Sequence, residues 1–216
     1  MRTDIMTAAR ERAERFGVKN VLVATNTGAS VLAARESFGS GYGFFAVGNP
    51  ASSRERGLVG HDGISDETKS ALEEKGIAVV LQDQSLFQAD GRSRQGAGLH
   101  QVATKAYTNR FLKGRPPCCG AFDIVPILGR VLAEFFGDGP KVCLEIALMA
   151  ADSGKLPLDV DCIAIATPSS YCDLPDAAMI LRPRPTRELF TMQLRIKDLI
   201  LRPTPNDVWF NNGPLP

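Results

Sequence analysis

The feature that most constrains the fold is a short apolar run that ends in a polar turn and leads directly into a helix-forming segment. Residues 21–24 (VLVA) form the apolar run, residues 25–28 (TNTG) the turn, and residues 29–35 (ASVLAAR) the helix-forming segment. An apolar run this short, followed by turn residues, is typical of a strand buried on both faces of a sheet. The pattern therefore predicts a strand–turn–helix unit of an α/β protein.

The rest of the chain alternates between helical and strand patterns in the same way. Outside the segment 82–120, helical periodicity with capping residues predicts five helices, over residues 4–16, 28–38, 65–74, 124–136 and 140–152. Short apolar runs predict five strands, over residues 21–24, 44–47, 77–81, 163–166 and 177–181. Helices that alternate with buried strands form a parallel sheet covered on both faces. The last two strands are too close in sequence for a crossover helix, so we expect them to form an antiparallel hairpin.

The helix at residues 140–152 is apolar almost all round, so we expect it to be sandwiched in the core. A chain of 216 residues fits one domain with additions. We assign residues 1–185 to a single α/β domain, with an insertion at about 82–120 that contains one predicted helix, 99–111. Residues 186–216 are a C-terminal extension, irregular except for one short helix or strand near 189–200.

The turn after the first strand has the composition of an anion site. The first turn of a helix carries unpaired N–H groups and a partial positive charge. Thr25, Thr27 and Ser30 add hydroxyl donors, and Gly28 would let a ligand approach the backbone closely. The alternative is that these residues only cap the helix and bind nothing.

Small polar residues also follow the other predicted parallel strands, at Gly48 and Asn49, at Gln82 and Asp83, and at Thr167. Ligands of open α/β sheets bind beyond the carboxyl ends of the strands, where the strand order reverses. If the first strand is central, the binding crevice lies between residues 25–30 and residues 167–175. Gly48, Asn49 and Thr167 are therefore candidate binding residues.

Charge and cysteine content exclude several classes of function. The formal net charge is +1, so no broad field attracts nucleic acid or an anionic membrane. No apolar run is long enough to span a bilayer, and residues 1–16 lack the apolar core of a signal peptide. We expect a cytoplasmic protein. Five cysteines in no paired pattern, with only two histidines, favour reduced thiols over a metal site.

The turn and the segment from Lys141 to Gly154 carry a family resemblance. The order Thr-Asn-Thr-Gly-Ala-Ser after a strand is similar to the phosphate loop of the pyruvate kinase C-terminal domain, which holds the phosphate of an allosteric sugar bisphosphate. From about Phe16 to Pro185 the chain resembles a family of stand-alone prokaryotic proteins, the pyruvate kinase α/β domain-like proteins. The resemblance implies a three-layer, mostly parallel sheet of order 3-2-1-4-5 with strand five antiparallel.

The same resemblance implies FMN as a bound cofactor. Its ribityl phosphate would be held by six consecutive residues, Thr25, Asn26, Thr27, Gly28, Ala29 and Ser30. The alternatives are a sensor or allosteric module for a phosphorylated sugar or other metabolite, and a flavin-dependent oxidoreductase. The chain is too short to contain the catalytic barrel of pyruvate kinase, so we expect no kinase activity. It departs from the family at residues 167–175, where Tyr171 either stacks on a flavin or, as we favour, caps the sheet.

Several other residues could contribute chemistry. Glu145 is either a buried carboxylate that faces the ligand crevice or the partner of Lys141 in an i,i+4 ion pair; we add it to the binding candidates. His61 and Asp62 could act as an acid–base pair, but adjacent side chains rarely face each other. Three cations of the insertion, Lys105, Arg110 and Lys113, could close over a phosphate or, as we favour, solvate a surface. Trp209 and the apolar residues near it suggest a homo-oligomer.

Overall fold

The computed structural model describes residues 4–49, 63–83, 86–87, 124–166, 175–191 and 193–201. Within these residues the chain forms five α-helices: α1 (Ile5–Phe16), α2 (Ala29–Phe38), α3 (Asp66–Glu74), α4 (Ile124–Phe136) and α5 (Asp138–Asp152). It also forms six strands: β1 (Asn20–Ala24), β2 (Gly43–Val47), β3 (Ala78–Val80), β4 (Cys162–Ala166), β5 (Ala177–Arg182) and β6 (Arg195–Leu201). A short 3-10 helix spans Thr186–Glu188.

The strands form one sheet of order β3-β2-β1-β4-β5-β6. The pairs β1–β2, β2–β3 and β1–β4 are parallel, whereas β4–β5 and β5–β6 are antiparallel. The predicted α/β class, the order 3-2-1-4-5 and the antiparallel fifth strand are confirmed. β6 adds a sixth strand, and it lies within the segment that we predicted to contain one short helix or strand.

Side chains that alternate along each strand supply two separate cores, one on each face of the sheet. On one face Leu22, Phe45 and Met179 pack with buried residues of α5. On the other, Val21 and Ile163 pack with buried residues of α1, α2 and α3. This alternation is what a pleated strand covered on both faces requires. The order of layers is therefore α1–α3, sheet, α5, with α4 packed on α5.

The central position of α5 explains its composition. Eleven of its fifteen residues are buried, from Gly139 to Ala151, so the predicted sandwiched helix is confirmed. It begins at Asp138, two residues before the predicted start. Pro140 lies inside the first turn, where the missing N–H of proline costs no hydrogen bond. The predicted start was wrong because it took this proline for the boundary.

The predicted ends of the other helices agree with the structure where it describes them. Asp4 caps α1 by accepting a hydrogen bond from the amide of Met6, and Gly17 ends it with φ +66°. Ser65 caps α3 by accepting from the amide of Thr68 at 3.2 Å. The predicted insertion helix at 99–111 lies outside the described residues.

A cluster of ionic contacts links β6 and β5 to the loop before β4. The carboxylate of Asp161 accepts hydrogen bonds from the Arg182 guanidinium, at 2.7 Å, and from the Lys197 ammonium. Burial acts to raise the pKa of Asp161, but the hydrogen bonds and positive charges of these two cations outweigh it and lower the pKa. The ionised carboxylate is therefore bound more favourably in the folded protein than in the unfolded chain.

We expect this carboxylate to stabilise the protein above its ordinary pKa of 3.8 and to lose that effect as pH falls through its lower folded-state pKa. Asp161→Asn should reduce the free energy of unfolding by about 2 kcal/mol at pH 7 and flatten the loss of stability below about pH 5. Urea unfolding between pH 7 and pH 3 measures both. Asp159→Asn is the control, because that side chain is fully exposed. Parallel pH curves for the wild type and Asp161→Asn would contradict the assignment.

Candidate functional site

The loops that follow β1 and β2 lie side by side at the carboxyl edge of the sheet. Ala24 pairs with Val47 at the strand ends. The backbone hydrogen bonds between the strands continue into the loops. The amide of Thr25 donates to the carbonyl of Val47 at 3.0 Å, and the amide of Gly48 donates to the carbonyl of Val80 at 3.1 Å. β1 lies between β2 and β4, so the strand order reverses beside it. This is the position at which open α/β sheets bind ligands.

Two hydroxyl groups fix the turn between β1 and α2. Thr25 is buried, with 8% of the residue exposed. Its Oγ1 accepts a hydrogen bond from the amide of Gly28 at 2.9 Å. The Oγ1 of Thr27, which is exposed, accepts from the amide of Ala29 at 3.4 Å. The capping role that we gave as the alternative therefore accounts for these two amides.

Two backbone amides at the start of α2 remain to be accounted for. The first four amides at a helix N-terminus have no acceptor within the helix. With Gly28 and Ala29 bound to the threonines, the other two are the amides of Ser30 and Val31. Ser30 is half-buried and also carries a hydroxyl group, and both threonine hydroxyls retain a proton that they can donate. An anion at this turn would meet two amides and up to three hydroxyl groups.

A glycine is required at position 28 for a different reason from the one that we expected. Its φ of +82° is in the left-handed region, which favours glycine. A Cβ atom there would lie 3.3 Å from both Leu72 Cδ atoms and from Thr68 Cγ2, on α3. The glycine is thus required by the backbone conformation and by the packing of α3, so close approach of a ligand is not needed to explain it.

Asn26 connects the two loops. Its Oδ1 accepts a hydrogen bond from the amide of Asn49 at 3.3 Å, and both side chains are half-buried. Gly48 is buried, and a Cβ atom there would lie 2.9 Å from Leu81 Cδ2 and 3.1 Å from Ile64 Cγ1. The absence of a side chain at Gly48 thus lets Leu81 and Ile64 pack closely against the end of β2. The hydrogen bond from Asn49 to Asn26 holds Asn49 beside the turn.

The electrostatic setting of α2 differs from that of three other helices. α1 has Asp4 at its cap, α3 has two acidic residues in its first turn, and α5 has Asp138 in its first turn. These carboxylates offset the positive end of each helix. The first turn of α2 contains no acidic residue. Its positive end is therefore not offset by a carboxylate of its own first turn.

Glu145 lies on a different element, α5, from the residues of the turn. Its side chain is buried, with 2% of the residue exposed, in the middle of α5. Cys143 faces the sheet, since its Sγ lies 3.3 Å from the carbonyl oxygen of Ala164. At 100° per residue, Glu145 projects about 200° from Cys143, on the opposite side of the helix. The ion pair that Lys141 makes in the structure is with Asp138, at 3.9 Å.

The structure thus brings together most of the predicted binding residues: Thr25, Asn26, Thr27, Gly28, Ala29, Ser30, Gly48 and Asn49. Other candidates lie outside the described residues, namely Thr167, Tyr171, His61, Asp62, Lys105, Arg110 and Lys113. Sequence reasoning missed the hydrogen bond between Asn26 and Asn49 and the packing of α3 against Gly28. The only signal for the first was an asparagine after each of two neighbouring strands.

The two described cysteines, Cys143 and Cys162, are buried free thiols. Burial is the main cause that raises the pKa of each, so both thiols are held protonated. Among the described residues no three His, Cys, Asp or Glu side chains are grouped to hold a metal ion. The described helices include none with both the length and the apolar character needed to cross a bilayer. No family model matches the chain.

Proposed function

We propose that this chain binds FMN, with the phosphate at the turn formed by residues 25–30. The observation that carries the proposal is the start of α2 and the turn before it. Together they combine two amides without an acceptor inside the helix with three hydroxyl groups, and the first turn of α2 contains no acidic residue. The choice of FMN rests on the resemblance of this turn and of residues 141–154 to the pyruvate kinase α/β domain-like proteins. Free thiols fit a reducing, cytoplasmic compartment, which is part of the proposal.

The residues present fit a phosphate monoester. Ser30 and Val31 would donate their amides, and Thr25, Thr27 and Ser30 their hydroxyl protons. Hydrogen bonds to a charged group contribute about 1.5–3 kcal/mol each, so two or three of them would supply about 3–9 kcal/mol, a large part of the roughly 8 kcal/mol that micromolar binding requires. Asn26 would keep the loop after β2 in place beside the phosphate. When bound, FMN supplies hydride or electron transfer.

A second candidate is a sensor or allosteric module for a phosphorylated sugar or another metabolite. One observation favours it over the third possibility, a flavin-dependent oxidoreductase. Every residue that the structure brings together at the turn is uncharged and has no side chain that titrates near neutral pH. General acid–base catalysis requires such a group within hydrogen-bonding reach of the ligand. The described site therefore supports binding, and it offers no proton donor for a reaction.

Titration of the purified protein with FMN, followed by flavin absorbance and fluorescence, tests the proposal. Riboflavin, which lacks the phosphate, is the matched control. We expect FMN to bind with a Kd in the micromolar range and riboflavin at least about tenfold more weakly, because the loss of one charged hydrogen bond costs about 1.5 kcal/mol or more. Equal affinity would contradict a phosphate site. Failure of FMN together with a thermal shift caused by fructose bisphosphate would favour the metabolite sensor.

A further inference from the structure

One residue of β3 presents its backbone groups to the open side of the sheet. β3 is an end strand of the sheet and pairs with β2. The carbonyl of Val80 accepts a hydrogen bond from the amide of Gly48, at the end of β2, at 3.1 Å. Successive residues of a strand direct their backbone groups to opposite sides, so the N–H and C=O groups of Val79 point away from β2. Val79 is therefore the position at which another strand would pair with this edge.

The side chain of Lys155 occupies this position. Its Nζ donates a hydrogen bond to the carbonyl oxygen of Val79 at 2.6 Å, although the two residues are 76 positions apart in sequence. A hydrogen bond from an ammonium group is stronger than one from a neutral donor, and the ammonium group is itself strongly hydrated. An approaching strand would have to displace both the lysine and its water, and it would replace a charged hydrogen bond by a neutral one.

The main chain on both sides of Lys155 is held in place. The amide of Lys155 donates to Ser153 Oγ at 3.2 Å, and this hydroxyl group donates to the carbonyl of Ala150, in the last turn of α5, at 2.7 Å. Leu156, the next residue, is buried and packs in the core between α5 and the sheet. The contact with β3 therefore requires the ordering of only one side chain, on a backbone that is already fixed.

The other end strand, β6, carries charged residues of its own. Lys197 donates a hydrogen bond to Asp161, and Asp198 accepts one from the Arg12 guanidinium, on α1, at 2.8 Å. The register of its pairing with β5 also shifts at one point, as at a β-bulge. Charges and bulges on an edge strand hinder pairing with another chain. β3 consists of one alanine and two valines, so Lys155 supplies the charge that its own sequence lacks.

We propose that Lys155 closes the β3 edge against a second copy of this chain. The edge itself favours a second copy as the occupant, because Val79 offers one N–H and one C=O group on the same side. Two copies related by a two-fold axis would exchange both hydrogen bonds between their Val79 residues, as an antiparallel pair does. The ammonium group blocks the carbonyl half of that exchange. This role does not depend on which ligand the protein binds.

Lys155→Met removes the ammonium group from the full-length protein and should open the edge. We expect its mass by light scattering to rise with concentration to about twice the wild-type value, because edge pairing joins two copies. The carbonyl ¹³C resonance of Val79 should move upfield, because that carbonyl loses a hydrogen bond. Lys155→Arg retains a charged donor and should keep the wild-type mass. The control is Lys75→Met, at an exposed lysine that follows α3, which lowers the formal net charge of +1 by the same amount.

Three outcomes would overturn the proposal. The first is an unmoved Val79 carbonyl resonance in Lys155→Met, which would show that the lysine does not bind the strand. The second is a wild-type mass of Lys155→Met at every concentration, because the lysine would then not be what keeps two copies apart. The third is equal association of Lys155→Met and Lys75→Met, which would assign the effect to net charge. Far-UV circular dichroism checks that each variant is folded, and Lys155→Gln, also neutral and shorter than lysine, gives the same readouts if the methionine variant is not.

Discussion

Replacing Ser30 by aspartate should abolish FMN binding without destabilising the protein. Ser30 is the second residue of α2, where a carboxylate interacts favourably with the helix N-terminus and adds about 0.3–1 kcal/mol to stability. The same carboxylate occupies the amides that we assign to the phosphate and repels its charge. Losing two charged hydrogen bonds costs about 3 kcal/mol or more, so the Kd should rise at least about 100-fold. Isothermal titration calorimetry and thermal melting measure the two effects.

Two matched variants separate the effect of the added charge on FMN binding from the effect of its position. Ser30→Ala removes only the hydroxyl group and should weaken binding about tenfold. Ser40→Asp adds the same charge at an exposed residue beyond the other end of α2, about 15 Å away, and should leave binding within about twofold. Unchanged FMN affinity in Ser30→Asp would remove this turn from the binding site, whatever the ligand proves to be.

The second large effect concerns stability. Gly28→Ala should lower the free energy of unfolding by about 2–4 kcal/mol, because φ +82° costs a side chain about 1–2 kcal/mol and the new Cβ atom would press on Leu72 and Thr68. Gly17→Ala is the control. Gly17 has φ +66° and nothing within 4 Å of a Cβ atom, so it should lose only the conformational part. Urea unfolding of both variants measures the difference.

A double-mutant cycle tests whether the larger stability loss in Gly28→Ala comes from the contact between its new Cβ atom and Thr68. Thr68→Ser removes the methyl group that lies 3.3 Å from the Cβ position of Gly28. In the Gly28→Ala background it should recover part of the lost stability, whereas in the wild type it should not increase stability. Equal losses in Gly28→Ala and Gly17→Ala would contradict the packing role. For the same reason a substitution at Gly28 would be a poor probe of ligand binding, because it would damage the turn itself.

The parallel part of the sheet could be predicted because its sequence signals are local. Residues 21–24 and 163–166 are short apolar runs, and each is buried on both faces in the structure. The pattern of β6 is weaker, because its residues are exposed or half-buried at the edge of the sheet. Arg195, Lys197 and Asp198 interrupt its apolar residues, as charges commonly do on edge strands. Only pairing with β5 identifies this segment as a strand.

The candidate site also has one part that could be predicted from local sequence and another part that could not. The hydroxyl groups and the glycine of the turn are adjacent in sequence, so capping rules were enough to find them. The hydrogen bond from Asn49 to Asn26 and the contact of α3 with Gly28 join residues more than twenty positions apart, and they depend on the packing of separate elements. The direction of Glu145 depends on which side of α5 meets the sheet, and its nearly uniform apolar sequence gives no sign of that.

The most direct test of a phosphate site at the 25–30 turn is a comparison of amide chemical shifts on titration with FMN and with riboflavin. In two-dimensional ¹H–¹⁵N spectra, we predict that FMN shifts the amide resonances of Ser30 and Val31 more than those of Gly17 and Gly39, which lie at the ends of α1 and α2. Riboflavin should leave Ser30 and Val31 nearly unchanged. Unmoved Ser30 and Val31 resonances in a protein that binds FMN would contradict the account.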